Sequence, residues 1–221
     1  SRASLVKRAW VEKVLILAGP IVLLIALPAR ISGDGRCRYT ALAILLEGPH
    51  VEVAGKRVSD LSARERARGL SYSISGPLFS IPLWYMDKLC GTPGWWTARH
   101  NLLVFSAGLL MLHRLLRGRM DDALLRKFLL LLIVGSMFPY HLRNYFGGPF
   151  TAVLAAAGIA AVHTGRGALG WPLLVLAVVN QPPCMAGMAL ATAAVSVRTR
   201  RWRHVLWLGA AAALILTENW I

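Results

Sequence analysis

Seven apolar runs alternate with polar segments along the chain: Val14 to Ala29, Asn101 to Leu116, Phe128 to Tyr140, Pro149 to Val162, Trp171 to Gln181, Cys184 to Val197 and Val205 to Leu216. Each predicts a helix. Most fall short of the roughly 20 residues that cross a bilayer comfortably, so flanking residues must supply their ends. Leu70 to Met86 is ambiguous, because it is apolar yet holds Gly76, Pro77, Pro82 and several serines and ends in Trp84-Tyr85; it either spans or lies flat. Tyr39 to Glu47 predicts a short surface helix stopped by Gly48-Pro49. Gln181-Pro182-Pro183 predicts a chain reversal, with one Pro-kinked helix from Trp171 to Val197 as the competing reading.

Composition turns this pattern into a fold-class expectation. The chain is 56% hydrophobic and 16% charged with a mean hydropathy of +0.54, whereas an average soluble domain is about 25% charged. The expected class is therefore all-α, a polytopic transmembrane helical bundle of about seven spans with a long first outer loop carrying juxtamembrane helices. The whole chain, 1–221, reads as one such module. Its net charge of +15, from 25 Lys and Arg against 10 Asp and Glu, belongs beside membrane lipids rather than nucleic acid. Ser1 stands where Met is usual, as expected of a trimmed chain or a fragment.

Charge placement orients the expected bundle. Arg2, Lys7, Arg8 and Lys13 precede the first run, as in a signal peptide or an uncleaved anchor. Ala26-Leu27-Pro28-Ala29 is a poor cleavage site, which favours the anchor with a cytoplasmic N-terminus. The basic stretches Arg114 to Lys127 and Arg198 to Arg203 then also face inward. Residues 30–100 form the first outer loop, whose length of about 70 residues exempts it from the positive-inside rule, and 141–148 form the second. The expected location is a bacterial-type inner membrane, crossed several times.

Candidate chemistry concentrates after the first run, in Ser32-Gly33-Asp34-Gly35-Arg36-Cys37-Arg38-Tyr39. A carboxylate between two glycines, kept ionised by nearby arginines, suits a general base or a metal ligand; the same tripeptide also suits a plain turn into a helix. Asp121-Asp122 looks like a metal pair, but its basic neighbours Arg117, Arg119 and Arg126 favour charge neutralisation. Trp84, Tyr85, Trp95 and Trp96 suit either sugar contact or an interfacial belt. Cys37 and Cys90 share the first loop and are candidates for a disulfide. The small-residue run from Ala155 to Ala161 suits close helix packing.

The order of these features resembles the opening of the GT-C superfamily, the membrane glycosyltransferases that use polyprenyl-phosphate-linked sugars. The features are an acidic motif after the first run, a surface helix, the Gly76-Pro77-Leu78 and Pro82-Leu83 segment, the turn at Arg117-Gly118-Arg119 and a second loop at His141 to Gly148. The resemblance implies transfer of a sugar from a lipid-linked phosphate donor to an acceptor hydroxyl with inversion, and it places the catalytic base at Asp34. Arg36, Arg38, Lys56, Arg57 and Arg143 are then candidates to bind the donor phosphate. Tyr39 and His141 join the substrate-binding set, with an interface cap as the other reading of His141.

The second loop, His141-Leu142-Arg143-Asn144-Tyr145-Phe146-Gly147-Gly148-Pro149, holds no carboxylate where related enzymes often have one. A metal held by two carboxylates is therefore not supported, although Glu47 and Asp60 remain as partners for Asp34, and no cofactor is expected. The alternatives to an enzyme are an accessory subunit of a larger membrane complex and a lipid or solute transporter.

Overall fold

The computed structural model describes residues 2–26, 29, 31–48, 52–53, 56–57, 73–92, 94–218 and 220. The chain begins with α1 (Arg2–Ala26), then α2 (Asp34–Glu47) and a minimal antiparallel ladder of β1 (Glu52–Val53) and β2 (Lys56–Arg57). Two short helices follow, α3 (Ser75–Leu78) and α4 (Ile81–Cys90), and a 3-10 turn at Thr97–Arg99 leads into α5 (His100–Leu116). The rest is helical: α6 (Asp122–Leu130), a wide π-turn at Leu131–Gly135, α7 (Phe138–His141), α8 (Gly147–His163), α9 (Gly167–Asn180), α10 (Met185–Thr199) and α11 (Val205–Glu218).

Local chemistry sets the boundaries. Gly33 takes φ 53° at the entry to α2, and Gly48 takes φ 80° at its exit, where its N–H reaches the Ile44 carbonyl at 2.9 Å. Asp121 starts α6 by accepting from the amides of Ala123 and Leu124 at 3.0 and 2.9 Å. Between α9 and α10 the helix breaks at Gln181, and Pro182–Cys184 form a separate 3-10 turn, so the chain reverses there instead of continuing as one kinked helix. Leu70 to Met86 does not span; its described part is divided between α3 and α4.

α8 lies at the centre and packs on α5 and α9; α11 covers α9 and α10. Two close crossings define it. A Cβ added to Gly158 would sit 3.0 Å from the Gly170 carbonyl oxygen, and one added to Gly170 would sit 2.7 Å from that of Gly158. The small-residue run thus brings the backbones of α8 and α9 together. At the other contact, a Cβ at Gly108 of α5 would collide with Val153 of α8 at 2.3 Å. Phe105, Leu109, Leu112, Leu125, Leu129 and Val153 fill one core around α5, α6 and α8, and Trp171, Leu174, Val178, Met188 and Ala211 fill a second around α9. Emptying one fully buried Leu site such as Leu129 would cost about 2–5 kcal/mol.

The expected transmembrane bundle is not what these helices make. No helix among the described residues is long and apolar enough to cross a membrane. The longest after α1 are α5 and α8, 17 residues each, or about 25 Å against a hydrocarbon core of about 30 Å. In α1 the charges reach Lys13, and Glu12 is engaged in a 2.6 Å ion pair with Arg126 of α6. The seven-span class, the membrane and transmembrane assignment, the multi-pass inner-membrane location and the inner and outer sides of the loops are all corrected accordingly. The misreading has a physical source: apolar runs of 10 to 14 residues belong equally to buried core helices.

Candidate functional site

The face that contains Asp34 is built by the meeting of two segments far apart in sequence. Ser32 Oγ donates to Asn144 Oδ1 at 3.1 Å. A Cβ at Gly35 would lie 2.9 Å from the Tyr145 carbonyl oxygen, so a side chain there would push the first turn of α2 off the 142–146 segment. Asn101, at the head of α5 and almost fully buried, fixes that segment from beneath by donating through Nδ2 to the carbonyls of Asn144 at 2.8 Å and Phe146 at 2.7 Å. Asp34 lies in the first turn of α2 and is exposed.

Behind this face is a buried polar layer. Arg38 Nη1 donates to Asn180 Oδ1 at 3.0 Å and to the Ser73 carbonyl at 3.2 Å. Asn180, the last residue of α9, donates through Nδ2 to the Gly147 carbonyl at 3.0 Å and to Thr151 Oγ1 at 2.8 Å. Glycines make the room: a Cβ at Gly147 would be 2.3 Å from Arg38 Nη2, and one at Gly76 would be 2.5 Å from Asn180 Oδ1. Glu218 at the end of α11 closes the layer, accepting from the amides of Ile74 at 2.6 Å and Ser75 at 3.0 Å and from Ser73 Oγ at 3.0 Å.

Tyr145 and His100 form its apolar edge. Ser80 Oγ donates to the Pro77 carbonyl at 2.7 Å and shares a 2.5 Å hydrogen bond with the Tyr145 hydroxyl. Burial raises the Tyr145 pKa, which the hydrogen bond with Ser80 and the charge of Arg38 only partly oppose, and the phenol stays protonated. His100 is stacked on Phe150 and edge-on to Tyr145. Burial lowers its pKa to about 4 against the smaller opposing effect of Asn101, so the ring is neutral.

The residues singled out from the sequence thus separate into groups. Arg36 is exposed two residues after Asp34 in α2, while Arg143 and His141 are half-buried on the segment that α2 touches. Arg38 is committed to the buried layer. Tyr39 packs on Trp84, with ring centroids 4.9 Å apart, and its hydroxyl is raised to about 12 by burial and then by Asp87 and Glu47. His141 sits edge-on to Tyr140. The side chains of Lys56 and Arg57, and all of Asp60, lie outside the described residues.

Other candidates are occupied elsewhere. Glu47 accepts from Trp84 Nε1 and pairs with Lys88 at 2.7 Å; it lies at the far end of α2, about 20 Å from Asp34 along the helix, too far to share a metal. Among the described residues no group of three His, Cys, Asp or Glu side chains is placed to hold a metal ion. Cys37 and Cys90 are free thiols. Trp84 is a core residue rather than an interfacial one.

Sequence reasoning missed Asn101, Asn180, Asp87 and Glu218. Asp87 accepts from the amides of Trp96 and Thr97 and from the Thr97 hydroxyl, all within 3.0 Å, and so starts the turn into α5. The available signal was a carboxamide at the end of an otherwise apolar helix, in Asn101 and Asn180, since a buried amide must find partners. No protein-family model, no curated protein and no solved structure matches the chain.

Proposed function

We propose that the face joining α2 to the 141–148 segment is a glycosyl-transfer site, acting on a sugar carried by a lipid-linked phosphate and using Asp34 as the base. The observation that supports the reading is the direct joining of the Asp34 turn to the Arg143 segment, through the Ser32–Asn144 hydrogen bond and the close approach of Gly35 to Tyr145. Inverting transfer needs one exposed carboxylate and a cation for the leaving phosphate, and no acid to protonate the leaving group. In the step, the acceptor oxygen attacks the anomeric carbon as its proton passes to the Asp34 carboxylate. The bond from that carbon to the phosphate oxygen breaks, and its electron pair stays on the phosphate. Arg36 and Arg143 are the guanidiniums left to receive that charge, because Arg38 is held in the buried layer. The test is sugar transfer by the purified chain from a polyprenyl-phosphate-linked donor, with Asp34→Asn as the comparison.

A non-catalytic subunit of a larger assembly is the second reading. Large apolar side chains on the outer faces of the helices favour it, among them Leu190 and Val134, each 75% exposed, and Leu206, 73% exposed. In that reading the Arg38–Asn180 layer shapes the chain and Asp34 only begins α2. Asp34→Asn then leaves transfer untouched.

A further inference from the structure

A cavity of about 750 Å³ opens at the opposite end of α9 from Asn180, inside the size range of small-molecule sites, about 300–1,000 Å³. Its walls are apolar and aromatic, with Trp171, Trp207 and Val195 among them, and its rim holds Arg201, Arg203 and His204. No carboxylate lines it among the described residues. The rim is placed by a specific turn: Arg200 ends α10 in the left-handed region at φ 53°, and the chain then runs through the 3-10 turn Trp202–His204 into α11. A non-glycine residue in that conformation is uncommon and carries a strain of order 1 kcal/mol. The turn brings two guanidiniums to one cavity mouth.

Trp171 is only 2% exposed, and its indole Nε1 has no hydrogen-bond partner among the described residues. A Cβ at the wall residue Gly167 would lie 3.6 Å from that nitrogen. His204, tilted against Trp171 with centroids 5.2 Å apart, has its pKa lowered by burial and then by Arg203 and Arg201. The ring is a partly apolar wall beside Arg201 and Arg203.

We propose that this cavity binds a single-tailed organic phosphate, its apolar tail along Trp171, Trp207 and Val195 and its phosphate on Arg201 and Arg203. Guanidiniums present paired N–H donors that match phosphate oxygens, and an apolar tail explains the volume behind them, which an inorganic ion would leave unfilled. The site lies on the other side of the second core from Asp34 and does not depend on the transfer reading.

The test is calorimetric titration of the full chain with dodecyl phosphate below its micelle concentration, beside inorganic phosphate and dodecyltrimethylammonium. In a background carrying Arg36→Gln and Arg143→Gln, which removes the other proposed phosphate site, dodecyl phosphate is expected to bind at one site, at least about thirtyfold more tightly than either control. The paired change Arg201→Gln and Arg203→Gln should weaken it by a similar factor, and Ala210→Trp should block it by filling the cavity. Arg201→Lys with Arg203→Lys keeps the charge and guards against a folding defect; it should retain part of the binding. Equal binding of the cationic amphiphile, binding unaffected by both the Gln pair and Ala210→Trp, or inorganic phosphate binding as tightly as dodecyl phosphate would each overturn the proposal.

Discussion

Arg38 and Asn180 meet at 3.0 Å across 142 positions of sequence, and this contact ties the first turns of α2 to the end of α9. Because Asn180 also holds Gly147 and Thr151, the start of α8 is fixed by the same side chain. The segment bearing Arg143 is therefore held on one side by Asn101 and on the other by Asn180.

Gly147→Ala tests the layer without removing any polar group. The new Cβ would fall 2.3 Å from Arg38 Nη2, and Arg38 is buried and cannot swing into water without leaving Asn180. Overpacking of this kind costs about 1–3 kcal/mol. Urea unfolding should show a lower midpoint with an unchanged slope, whereas Gly148→Ala, where no atom lies within 4 Å of the added carbon, should cost distinctly less.

His100 gives the fold a defined acid sensitivity. Its folded pKa of about 4 lies below the ordinary 6.5, so between these values the unfolded chain binds the extra proton. The stabilisation is complete above pH 6.5 and is lost as the pH falls toward 4. Between pH 7.5 and 5.5 the loss from this group is about 1.4 kcal/mol. Denaturant midpoints at the two pH values should differ less in His100→Phe, which keeps an aromatic ring against Phe150 and Tyr145; the same pH dependence in both proteins would refute the assignment.

Which parts of this were legible in the sequence follows from the range of each interaction. The break at Pro182 and the helices after α4 were readable, because apolar runs and prolines act locally, except that Phe128 to Tyr140, expected as one helix, divides among the end of α6, the π-turn at Leu131–Gly135 and α7. Whether those helices cross a membrane was not, since a short apolar run has the same composition in either setting. Asp34 and Arg143 could be picked out by residue type. Their joining through Ser32 and Asn144 depends on a pairing that no local pattern encodes. Arg38 and Arg36 looked equivalent, two residues apart in one basic motif, and only the placement of Asn180 and of two glycines separates the buried arginine from the exposed one.

Glu218 offers a local test of the same network. Its carboxylate accepts the amide hydrogens of Ile74 and Ser75, charge-assisted bonds that should slow their exchange with solvent. Glu218→Gln keeps the shape and removes the charge. Hydrogen exchange at Ile74 and Ser75 should speed up by about tenfold or more, while amides in the middle of α8 remain protected. Unchanged exchange at both positions would mean that the α11 end does not hold α3.

The transfer reading stands or falls on Asp34, and the direct measurement is the turnover of a polyprenyl-phosphate-linked sugar by the purified chain and its Asp34→Asn variant. The side chain is exposed at the start of α2, so the variant should fold with a midpoint close to the parent and should still bind the donor through Arg36 and Arg143. Loss of the proton acceptor should lower kcat about a hundredfold or more with donor binding retained. Equal turnover in the two proteins, with both folded, would contradict the account and leave the face of α2 as part of a non-catalytic subunit.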